Sequence, residues 1–210
     1  RISFSIIGRR AFYMSVAITS RRNPWFKRVR DALREHRQEI VIEGPKQVGD
    51  AIAAGWKAIA DLPKASGLGT RASDFPSIEF SSALFDSLAE TTSPQNVIAL
   101  FERPQFKLAH VLSEARGPRP EASVIVALDG VQDPGNVGTM VRLAAAFECA
   151  GVVLLPGCAD AYSPKSIRAS AGAVLSVPVV NATADELIAS KTPLFAAEAR
   201  ADHAEPPARH

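Results

Sequence analysis

The stretch "VIVALDGVQDPGNVGTMVRLAAAFECAGVVLL", from Val124 to Leu155, decides the fold of this chain. It opens with a continuous apolar run of the kind that is buried on both faces of a parallel sheet. The turn "DPG" follows, then a helix predicted from Asn136 to Phe147, and Gly151 separates this helix from the apolar run "VVLL". Two buried strands joined by one helix form a βαβ unit, so the stretch predicts an α/β fold with a parallel sheet.

The loop of this unit, "LDGVQDPGNVG", is rich in glycine and lies at the carboxyl end of a predicted parallel strand. Open α/β sheets bind their ligands at such ends, so the loop is a candidate binding site. It contains neither the GxGxxG pattern nor a Walker loop, which argues against an ordinary nucleotide-binding domain. Two roles remain open for Asn136, whose side chain suits either a helix cap or contact with a ligand.

One charged residue, Arg142, stands in the otherwise apolar helix of this unit. Its guanidinium must extend to solvent, pair with an acid such as Asp129 or Glu148, or face a functional site. The planar fork of arginine suits phosphate, which would make Arg142 useful if the ligand is a nucleic acid. A structural salt bridge and a functional role are therefore both open.

The alternation of helix and strand continues downstream. A helix is predicted from about Pro164 to Gly172, followed by the strand "VLSVPVV", the helix "ADELIAS" and the strand "PLFAAEA". The carboxyl-terminal part is therefore predicted to hold four parallel strands.

The amino-terminal part begins with a basic amphipathic helix, predicted from Asn23 to Glu35, with Trp25, Val29 and Leu33 on its apolar side. Strand and helix patterns alternate from there to about Pro104, which indicates a small α/β domain. The segment "RGPRPEA", rich in proline and charge, is the best linker candidate. The predicted division is an extension at 1–13, before the first methionine, a domain at 14–104, a linker at 105–122 and a second domain at 123–210.

The charge of the chain is unevenly distributed. Residues 1–60 carry twelve Lys or Arg against five Asp or Glu, whereas the remaining residues carry twelve against seventeen. A basic amino-terminal segment beside an acidic remainder indicates a polyanion-binding module joined to a second module. A solvated helix face is the alternative reading of the same charges.

Several function classes are excluded by composition. No apolar run approaches the roughly 20 residues that span a bilayer, and the opening segment is too interrupted for a signal peptide, so we expect a soluble, cytoplasmic protein with no membrane partner. The two cysteines have no metal-ligand or redox spacing, and the four histidines form no HExxH pattern. Neither a metal site nor a disulfide is expected.

The residues Asn136, Gly138 and Arg142 follow the pattern N-x-G-x3-R. This pattern resembles the first motif of the SpoU branch of the SPOUT RNA ribose 2'-O-methyltransferases. The segment "YSPKSIRASAGAVLSVPVV", Tyr162 to Val180, is similar to the second motif of that family. Upstream, "ITSRRNPWFKRVRDALRE", "IEGPKQVGDAIAAGW" and "SPQNVIALFERP" resemble its ribosomal-protein-like RNA-binding domain.

The resemblance implies a knotted catalytic domain that dimerises, binds S-adenosylmethionine and methylates a ribose 2'-hydroxyl of ribosomal or transfer RNA. It implies that Arg142 positions phosphate and stabilises the developing alkoxide, and that Asn136 fixes the arginine or the ribose by hydrogen bonds. Ser170 and Gly172 would lie near the cofactor. The candidate RNA-binding residues are Arg21, Arg22, Asn23, Lys27, Arg28 and Arg30. The rival hypothesis is a non-catalytic RNA-binding relative.

The family has a third motif, "N-E-G-x-G" followed by "S-L-N", which supplies most of its cofactor pocket. Residues 193–210, "PLFAAEARADHAEPPARH", do not contain this motif. We therefore expect an incomplete parallel sheet in which the knot is not formed, and weak or no binding of S-adenosylmethionine.

Overall fold

The computed structural model describes residues 17–64, 75–89, 96–116 and 124–197, which form two units with one three-stranded sheet each. Helices and strands alternate strictly along these residues. The helices are α1 (Pro24–Glu35), α2 (Pro45–Ala53), α3 (Ser82–Asp86), α4 (Leu108–Ala115), α5 (Pro134–Ala146), α6 (Pro164–Ala169) and α7 (Ala184–Ala189). The strands are β1 (Glu39–Glu43), β2 (Ala58–Pro63), β3 (Val97–Glu102), β4 (Ile125–Leu128), β5 (Gly151–Leu154) and β6 (Val179–Asn181).

The sheet of the first unit is antiparallel, in the order β1-β3-β2. Successive side chains of a strand point to opposite faces, so Ile98 and Leu100 of β3 pack with α1 and α3, while Ala99 and Phe101 face the other side. Both faces are buried, which explains why β3 is apolar at every position except Glu102.

Helix α1 covers one face of this sheet. Phe26, Val29 and Ala32 are buried there, whereas Trp25 and Leu33, predicted on the apolar side, are half-buried at its margins. Asn23 caps the helix, because its Oδ1 accepts a hydrogen bond of 2.9 Å from the Trp25 N–H. The basic side chains of Lys27, Arg28 and Arg34 on this helix are exposed.

The sheet of the second unit is parallel, in the order β4-β5-β6, and confirms the α/β fold expected from the stretch Val124 to Leu155. Val152 and Leu154 of β5 belong to a core that includes α5 and α6, while Val153 packs with α4 and α7 on the opposite face. Helices cover both faces, which is why the central strand β5 is buried at all of its positions.

The predicted fourth parallel strand, "PLFAAEA", is wrong for residues 193–197, which form no helix or strand. A strand needs a neighbour for its backbone hydrogen bonds, and within 124–197 this segment pairs with none. Leu194 and Phe195 are exposed, Phe195 to 95%. The remaining residues of the tail, 198–210, lie outside the described residues, as do residues 1–16 with the predicted extension, and the expectation that no knot forms stays a prediction.

The predicted strand "VLSVPVV" is also corrected, since only its last two residues enter β6. Val174 and Leu175 instead form a short 3-10 turn, Ala173–Leu175, and are buried there without strand pairing. Proline at 178 has no N–H to donate, so only its carbonyl joins the sheet, where it accepts a 2.9 Å hydrogen bond from the Val152 N–H.

The segment 105–122, predicted as a linker, contains the helix α4. Val111 of this helix is fully buried against Val153 and Val180 of the parallel sheet. Its methyl groups would contact a Cβ at position 151 at 2.8 Å, so Gly151 allows the close approach of α4 to the sheet. The helix is therefore a layer of the second unit, and residues 117–122 of the predicted linker lie outside the description.

A continuous apolar core joins the two units. Trp56, which follows α2, packs edge-on against Phe101 of the first sheet and Tyr162 of the second unit, with ring centroids 6.4 and 6.0 Å apart. Ile40 and Val48 belong to the same buried cluster as Leu154. Among the described residues, no helix has the length and apolarity to cross a membrane.

Candidate functional site

Two loops meet at the carboxyl edge of the parallel sheet. Residues 129–133 follow β4 and residues 155–163 follow β5. The Ala159 N–H donates a hydrogen bond of 2.8 Å to the Val131 carbonyl, and the Cys158 thiol donates one of 3.2 Å to the Leu128 carbonyl. The two loops thus form one connected surface at the edge where α/β sheets bind ligands.

The cap of helix α5 is Asp133, three residues before the predicted start of the helix. Its Oδ1 accepts a 3.0 Å hydrogen bond from the Asn136 N–H, and Pro134 occupies the first helical position. The predicted cap role of the Asn136 side chain is therefore wrong. The side chain of Asn136 is exposed and available to a ligand.

Lys165, at the start of α6, binds the other carboxylate oxygen of Asp133. This hydrogen bond and, next, the Asn136 N–H hold the pKa of Asp133 below its ordinary value. Asp133 is accordingly ionised at neutral pH and joins the amino ends of two helices. Sequence reasoning missed this pair, although the motifs contain both residues.

Arg142 extends to solvent from α5. Among the residues that the structure describes, it makes no ion pair, so the alternatives of a salt bridge to Asp129 or Glu148 are not realised. The buried side of α5 consists of Val137, Gly138, Val141 and Ala144. The apolar surroundings expected for Arg142 are found on both sides of the helix, because the outer side also carries apolar side chains.

The outer side of α5 carries an apolar strip. Met140, Leu143 and Phe147 are exposed, Phe147 to 73%. Together with Asn136 they follow the spacing i, i+4, i+7 and i+11 of one helix face. Arg142 lies about 120° around the helix from Asn136, since an α-helix turns about 100° per residue. Helix α5 thus exposes both predicted catalytic residues without bringing them to one face.

The two motifs of the sequence are brought together by helix packing. An ideal Cβ at Gly138 would lie 2.7 Å from the Ala169 Cβ and 3.0 Å from the Ser170 nitrogen, so only glycine permits this approach of α5 to α6. The first motif therefore needs its glycine for packing, while Asn136 and Arg142 on either side of it are left exposed.

Ser170 and Gly172, the predicted cofactor-binding residues, shape the turn after α6. The buried Ser170 hydroxyl donates to the Ile167 carbonyl at 2.8 Å and accepts from the Val174 N–H at 3.4 Å, so its hydrogen-bonding capacity is used within the turn. Gly172 has φ +90°, and a Cβ there would meet nothing within 4 Å. The backbone at Gly172 is therefore open on that side and has room for a ligand.

The predicted RNA-binding residues lie on or just before α1 and divide into two groups. Arg21, Arg22 and Lys27 are exposed, and within the described ranges none of them makes an ion pair. Asn23 is engaged as the helix cap. The remaining two arginines are each paired with an acid of the first unit.

Arg28 binds Glu39 through Nε and Nη2 and stacks over the Trp25 ring at 5.0 Å. The hydrogen bond to Glu39 raises the pKa of Arg28, against a smaller opposing effect of burial. Arg30 binds the neighbouring Asp31 at 3.0 Å. A phosphate would compete with these carboxylates, so the unpaired group is the better anion-binding surface.

A polar cluster that the sequence did not reveal crosses the boundary between the units. Arg103, just after β3, donates hydrogen bonds of 2.6 and 3.0 Å to the Asp160 carboxylate. His36, which ends α1, is joined to the same carboxylate through Nδ1 at 2.6 Å. The guanidinium also lies 4.6 Å over the Tyr162 ring. No sequence pattern signals residues that are 57 and 124 positions apart.

The ionisation of this cluster follows from its contacts. Burial acts to raise the pKa of Asp160, but the hydrogen bonds and charge of Arg103, with the Tyr162 N–H and His36, outweigh it and hold the pKa below its ordinary value. Burial also raises the pKa of Tyr162, which stays neutral. An ionised carboxylate only accepts, so the proton of the His36 hydrogen bond is on Nδ1.

Metal binding finds no support in the described ranges, where no three His, Cys, Asp or Glu side chains are grouped to hold an ion. The Asn136 amide is exposed at the start of α5, the Lys165 ammonium is exposed and held by Asp133, and the Arg142 guanidinium is exposed further along α5. Such groups suit an anionic, hydrogen-bonding ligand.

Comparison with known proteins gives a consistent result. Residues 123–207 match the profile of the SpoU rRNA Methylase family. A crystal structure titled RNA 2'-O ribose methyltransferase superposes with a TM-score of 0.65 and 30% identity, covering 83% of this chain and 68% of that one. The AdoMet-bound rRNA methyltransferase of Sinorhizobium meliloti superposes with a TM-score of 0.67 and 26% identity, covering 84% and 68%.

The mitochondrial rRNA methyltransferase 3 of Mus musculus is 29% identical over 171 residues. The match covers 76% of this chain and 39% of the mouse protein. The chain thus spans about two fifths of the length of that relative.

Proposed function

Because the chain belongs to the SpoU rRNA methylase family, we propose that it is an RNA methyltransferase that transfers a methyl group to a ribose 2'-hydroxyl of ribosomal or transfer RNA. The observation that carries the proposal is the pattern Asn136, Gly138 and Arg142 on α5, with its glycine packed against α6 and its two polar side chains exposed. Buried ion pairs would have favoured a purely structural motif.

S-adenosylmethionine is the proposed cofactor, and it supplies an electrophilic methyl group on a sulfonium. Support comes from the Sinorhizobium meliloti relative, which is described as AdoMet-bound. The open backbone at Gly172 fits a bound ligand, whereas Ser170 supports the turn that presents this backbone. We assign Gly172 to cofactor contact and Ser170 to positioning.

Arg142 is proposed to bind RNA phosphate and to stabilise the negative charge that develops on the ribose oxygen. A hydroxyl is a weak nucleophile near neutral pH, so alignment and charge stabilisation are what the protein has to contribute. Arginine remains protonated at any relevant pH, which argues against a role as general base. The Asn136 amide is proposed to orient the ribose by hydrogen bonds, because Arg142 lies on a different face of α5.

The apolar strip of α5, formed by Met140, Leu143 and Phe147, is the proposed contact of a homodimer. Exposed apolar side chains aligned on one helix face favour burial against a second surface. Asn136 lies on the same strip, so a dimer formed there brings the candidate site to the subunit boundary.

The proposal is tested by incubating the purified protein with RNA and S-adenosylmethionine labelled in the methyl group, and then digesting the RNA with alkali. Alkali cleaves RNA through the 2'-hydroxyl, so a 2'-O-methylated nucleotide stays joined to its neighbour as an alkali-resistant dinucleotide. Label in such dinucleotides supports the proposal. Label released with mononucleotides indicates base methylation, and RNA binding without label supports the non-catalytic rival.

A further inference from the structure

The cluster of His36, Arg103 and Asp160 lies where the basic helix meets the candidate site. His36 is the C-cap that follows α1, and its carbonyl accepts a 2.6 Å hydrogen bond from Arg103 Nη1. The same guanidinium binds Asp160 of the second unit. The end of the basic helix and the end of β3 are therefore tied to each other and to one carboxylate.

Asp160 is in turn fixed within its own unit. Its carbonyl accepts a 2.7 Å hydrogen bond from the Ser166 hydroxyl of α6, and its Oδ1 accepts one of 2.9 Å from the Tyr162 N–H. The preceding residue, Ala159, is bonded to Val131 in the loop that leads to Asn136. A chain of hydrogen bonds thus runs from α1 to the two loops of the candidate site.

We propose that Asp160, Arg103 and His36 are positioning residues, which hold helix α1 in one orientation relative to the loop that leads to Asn136 on α5. RNA bound on the basic side of α1 is thereby presented to Asn136 and Arg142 at a fixed distance. This inference rests on the proposed function, but the orientation of the two units can be measured without it.

The partial burial of the cluster argues for a role in orientation. The side chains of Arg103 and Asp160 are 13% and 24% exposed, so bringing them together removes much of their hydration. Compared with apolar side chains in the same place, a pair of this kind contributes little net stability, because the attraction is offset by the lost hydration. Removal of one partner alone is destabilising, because it leaves the other charge without its partner. Apolar contacts such as Trp56 with Tyr162 already hold the units together. They lack the directionality of a bidentate ion pair.

The orientation is tested on the whole chain with residual dipolar couplings, measured by NMR for the wild type, Asp160→Asn and Arg103→Lys. The control is Asp86→Asn, which removes an ion pair to Lys64 inside the first unit. We expect one alignment tensor to fit both units in the wild type and the control. In the two test variants we expect the couplings of each unit to fit an alignment tensor of its own, while no single tensor fits the couplings of both units. A joint fit equal to that of the wild type would overturn the proposal.

The consequence for the reaction is tested with the same proteins. We expect the Kd for RNA to change less than twofold in Asp160→Asn, because the basic residues of α1 are untouched, and the single-turnover rate of methyl transfer to fall at least tenfold. A reoriented variant with the wild-type rate would overturn the positioning role. If the wild type transfers no methyl group, the proposed function is refuted. The dipolar couplings then still test whether the three residues fix the orientation of the two units.

The variant Arg103→Lys tests the proposal even if Asp160→Asn does not fold, since it keeps the charge but loses the bidentate geometry.

The fluorescence emission of Trp56 is a separate measure of the boundary between the units. It is recorded in a Trp25→Phe background, where Trp56 is the one remaining tryptophan. We expect a red shift in both test variants and none in the control. If Arg103→Lys shows the wild-type Trp56 emission spectrum and one alignment tensor still fits both of its units, the proposal is rejected. This outcome does not depend on whether Asp160→Asn folds.

Discussion

Arg103 and Asp160 meet across the boundary of the two units through hydrogen bonds of 2.6 and 3.0 Å, although 57 residues separate them in the chain. The geometry is bidentate, with two guanidinium nitrogens on the two carboxylate oxygens. Such a pair requires an ionised carboxylate, so the boundary between the units depends on the protonation of Asp160.

The stability of the protein should therefore respond to pH through Asp160. Because its pKa is lowered in the folded state, Asp160 contributes stability above its unfolded-state value of about 3.9, and this contribution is lost as the pH falls toward the folded-state value. At pH 7 we expect Asp160→Asn to lower the free energy of unfolding by about 1.5–3 kcal/mol, the usual effect of losing a hydrogen bond to a charged group. Urea denaturation at several pH values measures this.

The difference between wild type and Asp160→Asn should shrink below pH 4, where the wild-type carboxyl also takes up a proton. Asp86→Asn serves as the control, since its partner Lys64 belongs to the same unit. A difference that stays constant from pH 7 to pH 3 would show that the variant acts through packing rather than charge.

Arg142→Ala should reduce methyl transfer without disturbing the fold. Removal of a group that stabilises charge in the transition state typically lowers the rate by a factor on the order of 10² or more. The side chain is exposed, so we expect the free energy of unfolding to change by less than about 0.5 kcal/mol. Single-turnover kinetics and urea denaturation measure the two effects, with Lys46→Ala on α2 as an exposed control.

Wild-type turnover by Arg142→Ala would remove this residue from the catalytic machinery. Loss of folding would contradict the exposed position of its side chain.

RNA binding should depend on salt through the unpaired basic residues near the start of α1. Each phosphate contact that is lost reduces the slope of log Kd against log salt by roughly 0.7–0.9. We expect Arg21→Ala, Arg22→Ala and Lys27→Ala each to lower the slope, and Arg28→Ala to lower it less, since Glu39 already neutralises that guanidinium. The slopes are measured by fluorescence anisotropy with structured RNA, at salt concentrations between about 50 and 200 mM.

The matched control for this series is Lys191→Ala, in the second unit. Slopes that are identical in the wild type and in all five variants would place the RNA elsewhere on the surface.

Gly138→Ala should destabilise the protein, because the added methyl would meet Ala169 and the backbone of Ser170. Overpacking of this kind typically costs about 1–3 kcal/mol. Gly49→Ala is the matched control, since a Cβ there meets nothing within 4 Å and glycine within α2 is itself unfavourable. We expect this control to raise the stability by about 0.4–1 kcal/mol. Equal effects of the two substitutions in urea denaturation would contradict the close packing of α5 on α6.

Phe147→Ser should weaken the proposed dimer without weakening the subunit. The ring is 73% exposed, so its loss removes little of the core. Sedimentation equilibrium of the wild type should show a dimer, and the variant should dissociate at least tenfold more readily. Phe195→Ser, which also removes an exposed ring, is the control. A monomeric wild type would reject this dimer contact.

Local patterns predicted much of this protein. The apolar runs at 124–128 and 152–155, with a helix between them, predicted the parallel βαβ unit because strand and helix periodicities are properties of adjacent residues. The pattern Asn136, Gly138 and Arg142 likewise indicated the family. The strand predicted in 193–197 is wrong because a strand also needs a neighbouring strand for its hydrogen bonds. No local sequence pattern specifies that neighbour.

What the sequence by itself determined is therefore the βαβ unit from β4 to β5, the parallel sheet and the motif Asn136, Gly138 and Arg142. Only the tertiary structure decided that Asp133 caps α5, that Arg142 stands without an ion pair among the described residues, and that Asp160 receives Arg103. The physical reason is distance along the chain. Caps, ion pairs and close helix contacts depend on which surfaces the fold brings within about 3 Å of each other. Sequence periodicity does not predict such contacts between residues that are far apart in the chain.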